Sequence, residues 1–436
     1  MIRKELKVKQ AVISAGGKGT RLNEVINNLP KILAVVGGIT LLERHLENLD
    51  SWEIEECVLL LGHDAGMVED FLSEIQGRYK VKVSTLKEEE PLGTGGAIIN
   101  AFNELHDSFI YFHGDLFINL PKDNFRLLFD PIADFALFVH ATSHPEDSDL
   151  VEFDDEKIIR FLTKPHTVPL SVKNFGNAGL YFFYKNVFKD LYIPTKKVDL
   201  DREIIPKLLS IGFQGRAIQN RWEIRDVGTP QRYLKTNLDI DSGKLGRKKR
   251  PAILLDRDGT INLELGHITS PVNFHLVKGA AEGIKMINEA GVLVIIITNQ
   301  PVIARGELSY SGLDLIHAKM ELEIGAVGAK IDGIYVCPHH PDKGFLGEAV
   351  ALKIECDCRK PKAGLIERAV AEFGIDKELC VLIGDTWRDK EAASNGGIKF
   401  QQVSEVDGQS NILEAVKASL NYVRENWSRS EQVLNN

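Results

Sequence analysis

A chain of 436 residues, 44% hydrophobic and 26% charged, exceeds the length at which one core keeps growing and has ordinary globular composition, so two domains are expected. Its net charge of −9 excludes a global field that would attract nucleic acid or an anionic membrane, so anionic ligands must be held by local groups. The charged start MIRKELKVKQ lacks an apolar h-region and the longest apolar run, residues 292–297, is too short to cross a bilayer, so a cytoplasmic protein, with oligomers possible, is expected.

From residue 9 to about 238, apolar runs such as AVISA, CVLLLG, FIYFHGD and NAGLYFF alternate with amphipathic stretches such as LLERHLENL and DREIIPKLLS, a β/α rhythm. Residues 241–250, DSGKLGRKKR, lose that rhythm and read as a linker. A second series then runs through PAILLDRDGT, VLVIIITNQ, DGIYVCP, LCVLIGDT and GGIKF. The expectation is α/β throughout: two doubly wound domains, 1–240 and 251–425, with a polar tail that frays from about residue 426.

After the first strand comes Ala15-Gly16-Gly17-Lys18-Gly19-Thr20-Arg21-Leu22, then Pro30-Lys31. Glycines at a strand's end let backbone N–H groups approach a phosphate, and Arg21 and Lys31 would neutralise it; taken alone, the segment has a tight turn with two solvated cations as its less favoured alternative. Leu92-Gly93-Thr94-Gly95-Gly96-Ala97 could lay bare backbone against a flat base. Gly114-Asp115 closes an apolar strand and Asp226 precedes Val227-Gly228-Thr229-Pro230; two such carboxylates can share one Mg²⁺, although singly they are more often caps or turn formers.

In this order these segments resemble the sugar-nucleotide pyrophosphorylase family over residues 9–238. The resemblance implies a Rossmann-like nucleotidyltransferase in which Ala15, Gly16, Gly17, Gly19, Thr20 and Arg21 hold the triphosphate. Lys31 would position and neutralise the phosphates, Gly95 would lie near the base, and Asp115 and Asp226 would hold Mg²⁺. Lys164, Asn177 and Gly179 would face the sugar phosphate, with Thr163 where the family often has glutamate. A sugar 1-phosphate would attack the α-phosphorus in line and pyrophosphate would leave.

In the second half, Asp256-Arg257-Asp258-Gly259-Thr260 follows the run from Ala252 to Leu255, putting two carboxylates at the C-terminal edge of a buried parallel strand. The next strand ends in Thr298-Asn299-Gln300, and Gly384-Asp385-Thr386-Trp387-Arg388-Asp389 ends a later one. This set resembles the haloacid-dehalogenase phosphatases. By that resemblance Asp256 is the nucleophile, Asp258 protonates the leaving alkoxide and then activates water, and Asp385 joins Asp256 and Asp258 at Mg²⁺. Between these motifs, Cys337, His339, Cys356 and Cys358 supply a closed tetrahedral set suited to structural Zn²⁺. Cys57 and Cys380 fall in apolar strands and are expected in the core.

The zinc loop narrows the resemblance to the D-glycero-D-manno-heptose 1,7-bisphosphate phosphatases over residues 251 to about 420. That implies Thr298, Asn299, Gln300, Arg305, Arg359 and Lys360 at the substrate phosphate, and Glu264, Gly266 and His267 at the sugar. Pro301-Val302 and Thr386 depart from the usual pattern, which leaves more of the phosphate grip to Lys360 and Arg305. If only the C7 phosphate is removed, the product is the sugar 1-phosphate that the first domain activates. The expected product, by resemblance to heptose 1-phosphate guanylyltransferases, is GDP-heptose for a surface polysaccharide, with GTP and the α-anomer preferred. The alternatives are a mannose-type transferase fused to a histidinol-phosphate-like phosphatase, and a first domain that only senses sugar phosphates.

Overall fold

The structure, a computed structural model, describes residues 7–17, 21–22, 25–129, 132–145, 148–167, 172–191, 197–247, 249–406 and 409–434. The chain divides into two compact units, one of Met1–His140, Asp149–Lys164 and Gly176–Gly246, the other of Ala141–Ser148, Pro165–Phe175 and Arg247–Asn436.

The first unit is built on a nine-stranded sheet, in the order Lys82–Lys87, Glu56–Leu61, Gln10–Ser14, Ser108–His113, Phe175–Tyr184, Phe135–Ala141, Gly215–Gln219, Lys157–Leu162 and Leu150–Asp154. Gln10–Ser14 pairs in parallel with both neighbours, and Ala11, Val12 and Ile13 are wholly buried, as a strand covered on both faces requires. Phe175–Tyr184 runs antiparallel to Ser108–His113, so the expected doubly wound series extends into a mixed sheet. The helix Leu41–Ser51 starts at a capping box: Thr40 Oγ1 accepts from Glu43 N at 3.1 Å and Glu43 Oε2 accepts from Thr40 N at 3.1 Å, worth on the order of 1 kcal/mol. Its buried Leu42, Leu46 and Leu49 recur at helical spacing.

The second unit holds a five-stranded sheet, parallel throughout, ordered Gly333–Cys337, Leu293–Asn299, Arg250–Leu255, Ile375–Gly384 and Lys399–Gln402. Ile253 and Leu255 enter one core with Ile284, Ile287, Val416, Leu420 and Val423; Ala252 and Leu254 enter the other with Leu365, Ile366, Phe373 and Ala393. The side chains alternate between two buried faces, which is what produces a continuous apolar run in sequence. The strand order reverses between Arg250–Leu255 and Ile375–Gly384, the crevice where open α/β sheets bind ligands.

Two boundaries differ from expectation. Arg250, assigned to the linker, is the buried first residue of its strand, its guanidinium donating to Phe373 O; the basic side chain disguised a strand start. The tail expected to fray from residue 426 continues the helix Ile412–Leu434, because apolar residues keep helical spacing through Val423 and Trp427. No helix among the described residues is long and apolar enough to cross a membrane.

Candidate active sites

In the first unit, parallel strand ends converge on a cavity of about 750 Å³ lined by Ala15, Gly16, Gly17, Lys31, Thr94 and Asp115, among others. Ala15 N donates to Leu60 O and Gly114 N to Ser14 O, both at 2.8 Å, which seats the two turns side by side. Helix Leu41–Ser51 supports the second: His45 Nε2 bonds Gly114 O at 3.1 Å, and burial pushes the ring down to about 4, so the neutral imidazole donates from Nε2. Lys31 Nζ lies 2.7 Å from Asp115 Oδ2; burial would raise this carboxyl, but the ammonium outweighs it and holds it below its ordinary value. Asp226 accepts from Gly228 N at 2.6 Å and from Arg232. A Cβ at Gly228 would come within about 3 Å of Asp115 Oδ2, Asp226 Oδ1 and Lys31 Nζ, so the two carboxylates and the ammonium meet around a residue with no side chain. That donor set suits a hard cation shared with phosphate oxygens.

Gly19 and Thr20 lie outside the described residues, and Arg21 is exposed. Gly95 packs against the neighbouring segment. It is buried, its N–H donates to Val198 O at 2.9 Å, and a Cβ there would meet Ile204 Cγ1 at 2.6 Å; Gly93 and Thr94 line the cavity instead. Lys164 N donates to Asp149 Oδ1 at 2.8 Å. Asn177 Oδ1 accepts from Gly179 N at 3.0 Å, while its Nδ2 reaches Tyr181 Oη at 2.6 Å and Asp201 Oδ1 at 3.0 Å. Burial pushes Asp201 up to about 6 against the pull of His113.

In the second unit, Lys360 Nζ sits 2.7 Å from Asp256 Oδ1 and 2.6 Å from Asp389 Oδ1. Burial alone would lower this ammonium, but the two carboxylates outweigh it and raise it. Burial also raises the Asp256 carboxyl. Ligand oxygens of Asp256, Asp385 and Asp389 lie within 4.8 Å of one another, and Asp385 Oδ1 is buried with no partner. An orphaned acceptor among three carboxylates fits a divalent cation. Asp258 is not in this group. Arg257 Nη2 donates to its two oxygens at 2.8 and 2.9 Å, and Asn262 and Gln300 add bonds of 3.0 and 2.7 Å.

The remaining expected substrate residues divide. Thr298 Oγ1 accepts from Gln300 Nε2 at 2.9 Å, and Asn299 makes two 3.0 Å bonds to the backbone of Lys360, which ties the end of this strand to the Lys360 loop. His267 bonds Glu307 at 2.6 Å, Arg305 lies 3.3 Å from His267 and stacks on Phe345, and Arg359 donates to His339 O at 3.2 Å. Glu264 Oε1 accepts from Gly266 N at 2.9 Å in an exposed loop. Cys337, His339, Cys356 and Cys358 place their ligand atoms within 4.8 Å of one another, with sulfur separations of 3.3 to 3.6 Å. A zinc tetrahedron with Zn–S near 2.3 Å has edges of roughly 3.7 Å, so the set fits the ion with a small outward shift of the sulfurs. Cys57 and Cys380 are fully buried.

The nucleotidyl transferase family matches residues 10–243 and the HAD-hydrolase-like family residues 357–425. The D-glycero-beta-D-manno-heptose-1,7-bisphosphate 7-phosphatase of Haemophilus ducreyi is 35% identical over 156 residues, 36% of this chain and 81% of its own length. The chain belongs to the nucleotidyl transferases in its first half and to the HAD-type phosphatases in its second. The Escherichia coli K12 protein of the same name is 34% identical over 154 residues, 35% of this chain and 78% of its own. A structure of HddC from Yersinia pseudotuberculosis aligns over 53% of this chain and all of that one, at 27% identity and a TM-score of 0.46.

In the phosphatase half, sequence reasoning quoted Asp389 without giving it a role; its spacing from Asp385, one helical turn on, was the available signal. Arg257, 1% exposed and clamped on Asp258, carried no signal, since an arginine between two aspartates reads as solvated. In the transferase half, Asp201 was missed because its partners are 20 and 24 residues away. We expect about one zinc ion per chain in the purified phosphatase half, and Cys356→Ser should lower its melting temperature more than that of the transferase half, because metal binding is coupled to folding. Metal analysis of chelator-free protein showing no zinc would be the contrary result.

Proposed function

We propose that the phosphatase half removes the C7 phosphate of D-glycero-D-manno-heptose 1,7-bisphosphate and that the transferase half joins the heptose 1-phosphate to GMP from GTP. The observation that carries the first step is Asp256, buried at the sheet's switch point with Lys360, Asp385 and Asp389 around it. An Asp256 oxygen attacks the phosphorus, the C7 oxygen leaves with a proton from Asp258, and water activated by Asp258 then cleaves the aspartyl phosphate. Mg²⁺ bound at Asp256, Asp385 and Asp389 would offset the charge of the phosphoryl oxygens. In the other half, a sugar phosphate oxygen forms the new bond to the α-phosphorus as the bond to pyrophosphate breaks. Lys31 offsets repulsion between the phosphates, and Mg²⁺ would be held by Asp115 and Asp226.

Incubation with heptose 1,7-bisphosphate and each nucleoside triphosphate, followed by mass analysis, tests this. The expected products are GDP-heptose, one phosphate and one pyrophosphate per turnover. Faster phosphate release from histidinol phosphate, or no pyrophosphate with any nucleotide, would defeat it. The curated phosphatase relatives are named for the β-heptose substrate, so both anomers belong in the assay. A β preference with ATP would replace the α-anomer and GTP assignment and keep the order of steps.

A further inference from the structure

Beside the transferase cavity, next to its lining residues Thr94 and His113, a polar cluster contains a carboxylate that the proposed reaction does not use. The run Leu92-Gly93-Thr94-Gly95 has its glycines where another segment presses in: a Cβ at Gly93 would meet Val198 O at 2.6 Å, and one at Gly95 would meet Ile204 Cγ1 at 2.6 Å. Leu200 N donates to Thr94 Oγ1 at 2.9 Å, and Thr94 lines the cavity. Asp199 caps the docked turn Leu200–Ile204, accepting from Asp201 N and Arg202 N at 3.0 Å. Missing side chains on one segment thus fix the position of Asp201 on the other.

Asp201 Oδ1 accepts from Tyr181 Oη at 2.6 Å and from Asn177 Nδ2 at 3.0 Å. Among the described residues no donor meets Oδ2. Asn177 commits both amide hydrogens to Tyr181 and Asp201, and its oxygen, which accepts from Gly179 N, keeps one further acceptor site. The ring of His113, which lines the cavity, stands edge-on to Tyr181. A carboxylate fixed through Oδ1, with Oδ2 left for a further donor and the cavity-lining Thr94 and His113 next to its own turn and partners, can accept from a hydroxyl.

We propose that Asp201 is a specificity-determining residue of the transferase half, its Oδ2 accepting a hydrogen bond from a ring hydroxyl of the sugar 1-phosphate, with Asn177 and Tyr181 orienting the carboxylate. This rests on the reading of the site as one that takes a sugar phosphate. Asp201 then reads the sugar's hydroxyl pattern, while Lys31 and Asp115 serve the phosphates.

The test uses the full chain and Asp201→Asn and Asp201→Ala. Affinity for heptose 1-phosphate is read by calorimetry and pyrophosphate release is read separately, so absence of turnover would count against the reaction while the affinity comparison still judges Asp201. Both variants should bind the sugar phosphate roughly ten- to hundred-fold more weakly, the usual loss when one buried charged hydrogen bond is removed. KM for GTP and the phosphatase rate should stay within about two-fold, which guards against misfolding. The deciding measurement is a set of monodeoxy mannose 1-phosphates: the sugar lacking the bonded hydroxyl should be penalised in the parent chain and not in Asp201→Ala. If every deoxy sugar is penalised equally in both, or if affinity is unchanged in both variants, Asp201 does not read the sugar.

Discussion

Asp256→Asn is expected to remove phosphate release from heptose 1,7-bisphosphate by at least about 10³-fold, the scale on which loss of a covalent nucleophile acts. Asn is isosteric, so the bond from Arg257 N to the side-chain oxygen, 2.7 Å in the parent, can survive, and the fold with it. What is lost is the oxygen nucleophile and one of the two negative partners of Lys360. The other partner, Asp389, keeps the ammonium paired at 2.6 Å, so the variant does not leave a lone buried charge. Nucleotidyl transfer to supplied heptose 1-phosphate should continue at the parent rate, since its cavity is lined wholly by the first unit. Simultaneous loss of both activities in well-folded protein would mean that the two sites are not chemically independent.

The mirror experiment is Asp115→Ala, for which we expect pyrophosphate formation to fall by roughly 10²- to 10⁴-fold, with the phosphatase spared. Two effects add. The substitution removes one of the two carboxylates facing each other across Gly228, and it releases Lys31 Nζ from the partner that holds it at 2.7 Å. A freed ammonium on a flexible stem is no longer aimed at the phosphates. Asp115→Asn separates the effects, because an amide oxygen can still accept from Lys31 while binding a cation weakly. Equal rates in the parent and Asp115→Ala would remove Asp115 from the phosphate-handling group.

The same contrast explains how much could be read from the sequence. Asp256, Asp258 and Asp385 were legible because each follows an apolar run, and a parallel strand's end is where such a run must stop. The cysteine and histidine set was legible from its spacing. Roles that depend on what another segment brings were not. A glycine announces that something comes close without saying what, and at Gly95 the side where a Cβ would stand is filled by the Asp199–Ile204 turn. Likewise Asp258 looks like a third metal carboxylate until Arg257, Asn262 and Gln300 are seen to occupy it. The start of the second sheet was blurred for a related reason: Arg250 has a strand's backbone and a linker's side chain.

Cys337 and Cys356 are 19 residues apart in sequence, and the segment between them has little besides the short turn Val350–Leu352. Its Leu346 and Val350 are fully or largely exposed, so it contributes little apolar burial of its own. Joining the ends of a loop this long removes conformational freedom from the unfolded chain worth on the order of 3 kcal/mol, by the reasoning applied to covalent cross-links. A metal at the four ligands would therefore act as a knot in a polymer. The excursion could change in composition and length while Lys360, two residues beyond the last sulfur and tied by its backbone to Asn299, stays in register with the nucleophile.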